Sequence, residues 1–314
     1  MRNKRIWLLL LAAALCIQLT GCRNAPLISG LGKSVGVCVR QESANADYYA
    51  SLVDGIEAMG YTVVLKDSQN DQSRQNQQVS QLIAEKCDLL VIEPVMVTAL
   101  EDVIAQVKNA QLPVVILDRQ PDEQVLSSYE KLHFVGCDSA QAGTAQAALL
   151  DQLNVRGDLN GDGIVSYMML RGPEDHLDAQ LITDSCNQAL AQQSTQLLCT
   201  VSAQWELADS RAKCSQSLSQ YGRDIEVIFC NDPQLALGAV EAVKNGGWTP
   251  GQDVYILAIG TNPDLETLMS QGAIAATVIP HKSQRISTLS ETVQQLLSGK
   301  DVAKIQYIPY APVA

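Results

Sequence analysis

The sequence predicts two doubly wound α/β domains, each built on a parallel sheet with helices on both faces. Three observations lead to this prediction. The chain has 314 residues, which is more than one ordinary domain needs. Short apolar runs recur along it, as in strands that are buried on both faces. Between these runs lie stretches with apolar residues three and four positions apart, the spacing of helices that cover a sheet.

The first half of the chain has the pattern of repeated βα units. Strands are predicted at 34–39, 61–66, 88–93, 113–118 and 133–136. Helices are predicted between them at 48–59, 72–86 and 97–110. Gly60 follows the first of these helices, and glycine is the residue favoured just beyond a helix C-terminus.

The same pattern resumes after residue 140. Strands are predicted at 165–170, 196–201, 226–230, 254–259 and 273–278. Asp232 precedes Pro233, so it is expected to cap a helix whose first position is proline. Parallel sheets bind ligands outside the carboxyl ends of their strands, so two facing sheets predict one ligand in the cleft between them.

The N-terminus is predicted to be an export signal over residues 1–21. A basic start is followed by an apolar run at 6–17 that is too short to span a membrane stably. The run ends in Leu-Thr-Gly-Cys, which resembles a bacterial lipobox, so Cys22 is predicted to be the lipidated first residue of the mature protein. Residues 22–33 would then be a tether. The sequence therefore predicts an extracytoplasmic protein that is lipid-anchored to the outer face of the cell membrane.

Charge and cysteine spacing exclude two classes of site. The chain has 22 Lys and Arg against 34 Asp and Glu, a net charge of -12, which disfavours a nucleic-acid-binding surface. Its nine cysteines include no CxxC and no Cys/His metal spacing, so zinc is not expected. Four of them lie in or beside strand-like runs and are expected to be buried free thiols, while one bridge among the following three stays open: Cys186, Cys199 and Cys214.

The segment Asp-Ser-Gln-Asn-Asp-Gln-Ser-Arg-Gln-Asn-Gln-Gln at 67–78 is too polar for an ordinary core helix. With the stretches 135–139, 158–163, 176–179 and 238–242, it resembles the periplasmic glucose/galactose-binding proteins, and the resemblance runs from about 35 to 312. It implies a type I periplasmic-binding-protein clamp, in which two domains joined by three crossovers close on a ligand. The N-terminal domain would be 34–140 plus 280–300, and the C-terminal domain 141–279 plus 301–314, with its last strand at 304–309.

A Asp-x-Asn-x-Asp-Gly motif predicts a structural calcium loop. Its oxygen ligands would come from Asp158, Asn160, Asp162, Ser166 and the backbone carbonyl of Ile164, at the positions of an EF-hand loop. Position twelve is Met169 instead of Glu, and the resemblance implies that Glu226 supplies this carboxylate from a distant strand. Hard oxygen ligands with flexible coordination favour Ca²⁺ over Mg²⁺ or a transition metal, and the short Ser166 side chain predicts weaker binding. A turn without metal is the alternative.

The resemblance also implies a sugar site in the cleft. Sugars are bound by aromatic faces and by carboxylate, amide, Arg or His groups that hydrogen-bond to hydroxyls. Trp205 matches the stacking Trp of the family, and Tyr48 falls at the place of its second stacking ring. The complete set of predicted ligand-binding residues is Asp47, Tyr48, Glu93, His176, Asp178, Trp205 and Asp232. For Asp232 the alternative is a capping role alone, and the two roles are compatible.

Several family contacts are replaced in this chain. Arg40 stands for a Tyr, Glu93 for an Asn, Ile182 for an Arg, Gly260 for an Asp and Pro280 for an Asn. Each buried group left without its partner costs about 1–3 kcal/mol, so strong glucose binding is not expected. The added charges suit a charged or substituted sugar, or another polar solute of similar size.

These features predict a solute-binding lipoprotein that delivers its ligand to the permease of an ABC importer. The alternative is a sensor whose closed form is read by a chemoreceptor or a kinase. An enzyme is not expected, because the sequence contains no GxSxG, GxxxxGK[ST] or HExxH motif and only three His.

Overall fold

The computed structural model describes residues 32–314. The predicted signal segment, Cys22 and nearly all of the predicted tether lie outside the described residues. Within residues 32–314, no helix combines the length and the apolar character that crossing a membrane requires.

The first sheet has six parallel strands in the order β11-β5-β4-β3-β1-β2. They are β1 (Ser34–Val39), β2 (Thr62–Asp67), β3 (Leu89–Ile92), β4 (Val114–Leu117), β5 (Leu132–Gly136) and β11 (Ile305–Tyr307). The helices of this half are α1 (Ala46–Glu57), α2 (Gln72–Ala84), α3 (Leu100–Asn109), the short α4 (Glu123–Ser127) and α10 (Lys282–Leu297).

The second sheet has the order β12-β10-β9-β8-β6-β7, and only the pairing of β10 with β12 is antiparallel. Its strands are β6 (Val165–Arg171), β7 (Thr195–Ser202), β8 (Val227–Cys230), β9 (Tyr255–Ile259), β10 (Ala276–Pro280) and β12 (Tyr310–Val313). The remaining helices are α5 (Ser139–Ala147), α6 (Leu177–Leu190), α7 (Leu207–Tyr221), α8 (Pro233–Asn245) and α9 (Pro263–Ser270). Short 3-10 turns lie at Glu42–Ala44, Val97–Ala99, Ala148–Gln152, Asn154–Gly157 and Gly222–Asp224.

Alternating strand residues bury opposite faces of each sheet. In β1, Val37 packs toward α1 and α10, whereas Cys38 packs toward α2 and α3. In β6, Met168 packs toward α7 and α8, whereas Met169 packs toward α5 and α6. Both faces are apolar because helices cover both, which confirms the predicted pair of doubly wound domains.

The end of the chain corrects one predicted boundary. The strand predicted at 304–309 was assigned to the second domain, but Ile305–Tyr307 pairs with β5 of the first sheet, and only Tyr310–Val313 joins the second. The chain crosses between the sheets after β5, after β10 and after β11, and Ile308 N donates to Gly136 O over 2.8 Å where two of these crossings meet. A strand three residues long carries too little pattern to reveal which sheet it joins.

The seven cysteines of residues 32–314 are free thiols. Five are buried, and Cys137 and Cys199 are half-buried. The possible bridge among Cys186, Cys199 and Cys214 is therefore not formed. Burial raises the thiol pKa of Cys186 above its ordinary value and that of Cys214 to about 12, so these thiols pack as small apolar side chains.

Candidate functional site

The candidate site lies where the carboxyl ends of the two parallel sheets place polar residues. On the first sheet, Arg40 follows β1, Glu93 follows β3, and Asp118 and Arg119 follow β4. On the second sheet, residues 172–178 follow β6, Trp205 follows β7 and Asp232 follows β8. Parallel strands bring these chain positions to one edge of each sheet, which is where ligands of such sheets bind.

Glu93 is held by its neighbours on the first-domain wall of the site. Its Oε2 accepts hydrogen bonds from Tyr49 Oη over 2.6 Å and from Arg40 N over 3.0 Å. The Arg40 guanidinium approaches the other carboxylate oxygen at 3.9 Å. Because Glu93 is only 7% exposed, these partners offset the cost of burying its charge. The predicted site residue Glu93 is therefore a preset acceptor instead of a mobile surface carboxylate.

Asp118 pairs with Arg285 of α10, 167 residues away along the chain. Burial raises the pKa of Asp118, and the adjacent Arg285 charge opposes this shift. The Arg285 guanidinium also lies 4.1 Å from the centre of the Tyr48 ring, and Tyr48 is 7% exposed. Arg285 therefore covers one face of the Tyr48 ring, and the role of Tyr48 as a second stacking ring stays a prediction. No local sequence pattern indicates that α10 would bring a cation to this ring.

Arg119 lies at the site but outside the predicted set of ligand-binding residues. It is half-buried, and its Nη1 donates to the carbonyls of Pro94 over 3.0 Å and Val95 over 2.5 Å. Burial lowers the pKa of Arg119, and the nearby charge of Arg40 lowers it further. Within residues 32–314 it forms no ion pair with a carboxylate, so its other N–H groups remain available for a ligand. The sequence signal for Arg119 is that a charged Asp-Arg pair directly follows a buried strand, where ligand-binding residues of parallel sheets lie.

The second-domain wall presents Trp205 on a backbone platform. A Cβ at Gly172 would lie 2.0 Å from Trp205 Cη2, so the indole packs directly on the Gly172 backbone. The His176 ring meets the indole edge-on, with ring centres 5.4 Å apart. Trp205 is half-buried against the core of the second domain, so its orientation is fixed before a ligand arrives. The structure thus brings together two predicted ligand residues, Trp205 and His176.

The predicted carboxylates of the second wall differ in their surroundings. Asp178 is exposed, and its Oδ1 accepts a hydrogen bond of 2.7 Å from Ser139 Oγ. Asp232 caps α8 by accepting from Gln234 N over 2.7 Å, and burial raises the pKa of this carboxyl. The capping role of Asp232 is confirmed, and its contact with a ligand stays a prediction. Asp47 is exposed in the first turn of α1, and nothing in its surroundings marks a ligand site.

Buried polar atoms without a partner concentrate at this site. Of nine such side-chain atoms in residues 32–314, six lie at or beside the carboxyl edges of the sheets. They are Arg40 Nε, Asp118 Oδ1, Arg171 Nε, His176 Nδ1, Asn231 Oδ1 and Arg285 Nε. An unpaired buried group costs about 1–3 kcal/mol, so such groups collect where a bound molecule or ordered water supplies the missing partner.

Three positions that differ from the resembled family contribute no hydrogen-bonding side chain. Ile182 is 8% exposed and belongs to the core of the second domain. Gly260 adopts a φ of 81° beside Pro233, and Pro280 ends β10 opposite Tyr310. At these three positions the second-domain wall therefore offers no side chain to a sugar hydroxyl.

The predicted calcium loop lies at the amino end of β6, away from the cleft. The side chains of Asp158, Asn160 and Asp162 each accept hydrogen bonds from backbone N–H groups further along the loop. Glycines at positive φ, Gly161 at 76° and Gly163 at 89°, allow the sharp turn. The loop has the oxygen-rich fold that its sequence predicts.

Glu226, the residue just before β8, closes this loop, as the resemblance implied. Its Oε1 accepts from Leu159 N at 2.7 Å and Asn160 N at 3.0 Å, and its Oε2 accepts from Ser166 N at 2.8 Å. The side-chain oxygens of the loop and of Glu226 are of the type that a hard cation binds. Each carboxylate also accepts hydrogen bonds from the loop backbone. Within the described part of the chain, no three His, Cys, Asp or Glu side chains converge closely enough to form a metal cluster. Calcium therefore stays a prediction.

Comparison with known proteins identifies the family. A family model described as a periplasmic binding protein domain matches residues 39–301. The chain belongs to the periplasmic binding protein family. It is 30% identical over 264 residues to the D-galactose/methyl-galactoside binding periplasmic protein of Haemophilus influenzae, covering 82% of this chain and 77% of that one. It is 25% identical over 287 residues to the ribose import binding protein of Bacillus subtilis, covering 89% and 87%.

Solved structures share the fold of this periplasmic binding protein. The periplasmic ribose ABC transporter protein of Conexibacter woesei superposes with a TM-score of 0.77 at 18% identity, over 90% of this chain and 92% of that one. The arabinose-binding component from a Shewanella species gives a TM-score of 0.73 at 22% identity, over 90% and 91%. The family is extracytoplasmic, and its members are solute-binding receptors of ABC-type transporters instead of enzymes.

Proposed function

We propose that this periplasmic binding protein captures a small carbohydrate between its two domains and delivers it to an ABC importer. The observation that carries the proposal is the set of unpaired buried polar atoms at the facing carboxyl edges, next to the fixed Trp205 platform. Relatives named for galactose, ribose and arabinose support a sugar as the ligand class.

The site favours a sugar that stacks on one face only. Trp205 offers an aromatic surface on the second wall, whereas the Tyr48 face on the first wall is occupied by Arg285. Arg119 and Glu93 on the first wall provide a donor and an acceptor for hydroxyls. This arrangement suits a pentose, a furanose or a substituted sugar better than a glucose ring stacked between two aromatic side chains.

The test is a thermal-shift and fluorescence screen of the mature protein. The panel contains D-ribose, L-arabinose, D-galactose, methyl-galactoside, D-glucose and sugar acids, because a ligand that binds only the folded state raises its melting temperature. One sugar class is expected to raise the melting temperature by several degrees and to change indole fluorescence. Trp205→Ala should abolish both effects, and Trp248→Phe, outside the site, should keep them. No response to any sugar would contradict the carbohydrate proposal.

We also propose that the 158–166 loop and Glu226 bind Ca²⁺ as a structural ion. The support is the oxygen-only donor set and the buried carboxylate of Glu226 against the loop. Calorimetric titration of the chelator-treated protein with Ca²⁺ should show one site, which Asp162→Ala removes. The exposed Asp184→Ala serves as the control. A wild-type protein without calcium-induced heat or stabilisation would contradict this proposal and leave the hydrogen bonds to Glu226 as the support of the loop.

The lipid anchor at Cys22 and the permease as partner are part of the same proposal. Their support is the lipobox-like sequence and the import function named for relatives. In cells, Cys22→Ser should block lipid labelling and release the protein from the membrane fraction. Growth on the identified sugar should require both this protein and a permease, whereas a sensor read by a chemoreceptor or kinase would leave growth intact.

A further inference from the structure

The polar face of α2 forms hydrogen bonds with the backbone of the loop that follows β3. Gln72, Gln75 and Gln78 lie three residues apart, so they share one side of the helix. Gln75 is fully buried and Gln78 is 8% exposed, which is unusual for amides unless they are paired.

Gln75 binds two backbone groups of the loop. Its Nε2 donates to Glu93 O over 2.8 Å, and its Oε1 accepts from Val95 N over 3.0 Å. Pro94 between them has no N–H, and β3 ends at Ile92, so neither group is served by the sheet. Gln72 continues the contact by accepting from Met96 N over 2.9 Å.

This loop in turn holds two groups of the candidate site. It carries Glu93, and its carbonyls at Pro94 and Val95 bind the Arg119 guanidinium. Asp118 adopts a φ of 62°, in the left-handed region, just before Arg119. With its Nη1 bound, Arg119 can rotate little about its terminal bonds. One buried amide on α2 thus connects to site residues that follow two different strands.

We propose that Gln75 is a positioning residue that presets Arg119 and Glu93 for ligand binding. This inference rests on the proposed function only for the ligand; the effect on Arg119 itself is independent of it. A wall that is rigid before binding loses less entropy when the ligand binds, so Gln75 contributes to affinity without touching the ligand.

The matched variants are Gln75→Met and Gln78→Met. Both replace a buried amide on the same helix face by an apolar side chain of similar length. Gln78, however, binds Asp67 O over 2.8 Å and Ser68 Oγ over 3.0 Å, and it forms no hydrogen bond with the 93–96 loop. Ser68 Oγ also accepts from Gln75 Nε2 over 3.4 Å, so the control variant perturbs the same helix face but not the loop contact itself. A merely structural role of Gln75 would make the two variants behave alike.

Two readouts decide the question. Guanidinium NMR, with Arg119→Lys to assign the signal, should show restricted Arg119 rotation in the wild type and in Gln78→Met, and free rotation in Gln75→Met. Calorimetry with D-ribose and D-galactose should show about tenfold weaker binding for Gln75→Met, the cost of one disturbed charged hydrogen bond. Gln78→Met should stay within about twofold of the wild type.

The outcomes are separable. Unchanged Arg119 rotation in Gln75→Met would overturn the proposal, as would free rotation with unchanged affinity for a sugar that the wild type binds. If the wild type binds neither sugar while Gln75→Met alone frees Arg119, the positioning of Arg119 is supported and the choice of ligand in the proposed function fails.

Discussion

At the scale of single residues, the site depends on contacts that sequence spacing does not show. Gly172 is the clearest case, since the absence of a side chain there leaves room for the Trp205 indole. His176 belongs to the same arrangement, because its ring packs edge-on against that indole.

We predict that Gly172→Ala weakens sugar binding by roughly threefold to tenfold, because the added Cβ displaces the indole and a well-placed aromatic contact contributes about 0.5–1.5 kcal/mol. Calorimetry with the sugar found in the screen measures this effect. Gly246→Ala is the control, since its Cβ would meet only ordinary contacts of 3.4 Å or more at a φ of -74°. Equal affinity in both variants would contradict the platform role of Gly172.

His133 predicts a pH dependence of stability. Its Nδ1 lies 3.1 Å from Ala303 O, and burial lowers its pKa below 6.5. Below pH 6.5 the unfolded chain binds a proton that the folded His133 accepts only at lower pH, so stability is lost as the pH falls through this range. His133→Asn keeps a donor but does not titrate, so its melting temperature should fall less between pH 7.5 and 5 than that of the wild type. Parallel curves would contradict this assignment.

At the scale of elements, the loop before β6 is closed by Glu226, more than 60 residues further along the chain. Glu226 is only 1% exposed, and its carboxylate accepts hydrogen bonds from three backbone N–H groups. The Asp and Asn side chains of the loop accept hydrogen bonds only from nearby backbone N–H groups. The buried Glu226 carboxylate accepts from the N–H groups that these turns leave over. Hydrogen bonds within the 158–166 loop and hydrogen bonds to the distant Glu226 therefore stabilise the same loop conformation.

We predict that Glu226→Gln lowers the free energy of unfolding by about 1–3 kcal/mol even in calcium-free buffer, since an amide nitrogen then faces backbone donors. Urea unfolding with a chelator present measures this change. Glu241→Gln, whose partner is the half-exposed Arg211, should change it by less than about 1 kcal/mol. A loss that appears only when calcium is present would show that the ion, and not the hydrogen bonds, carries the role of Glu226.

At the scale of the whole molecule, α10 follows a strand of the second sheet and packs on the first. Its Leu289 and Val293 join the core beside β1, and its first turn supplies Arg285 to Asp118. The pair therefore links the second crossing to the carboxyl edge of the first sheet, where ligand is proposed to bind.

We predict that Arg285→Met and Asp118→Asn each lower the free energy of unfolding by about 3 kcal/mol, because each leaves a poorly solvated charge without its partner. The double variant should lose clearly less than the sum of the two. Urea unfolding of the ligand-free protein gives this cycle, with the exposed pair Arg211 and Glu241 as the comparison. Additive losses would show that the two charges do not stabilise each other.

The sequence by itself determined the two doubly wound domains and the loop at Asp158, because strand periodicity and contiguous motifs are local features of the chain. The resemblance to a known family implied the distant Glu226. It also placed Trp205 and His176 at the site. Only the tertiary structure decided that Arg285 covers Tyr48, that Gly172 supports Trp205, that Gln75 holds the loop beside Arg119, and that residues 305–307 join the first sheet. Those outcomes depend on residues that meet across long sequence separations, and a one-dimensional pattern does not record which side chains fold into contact.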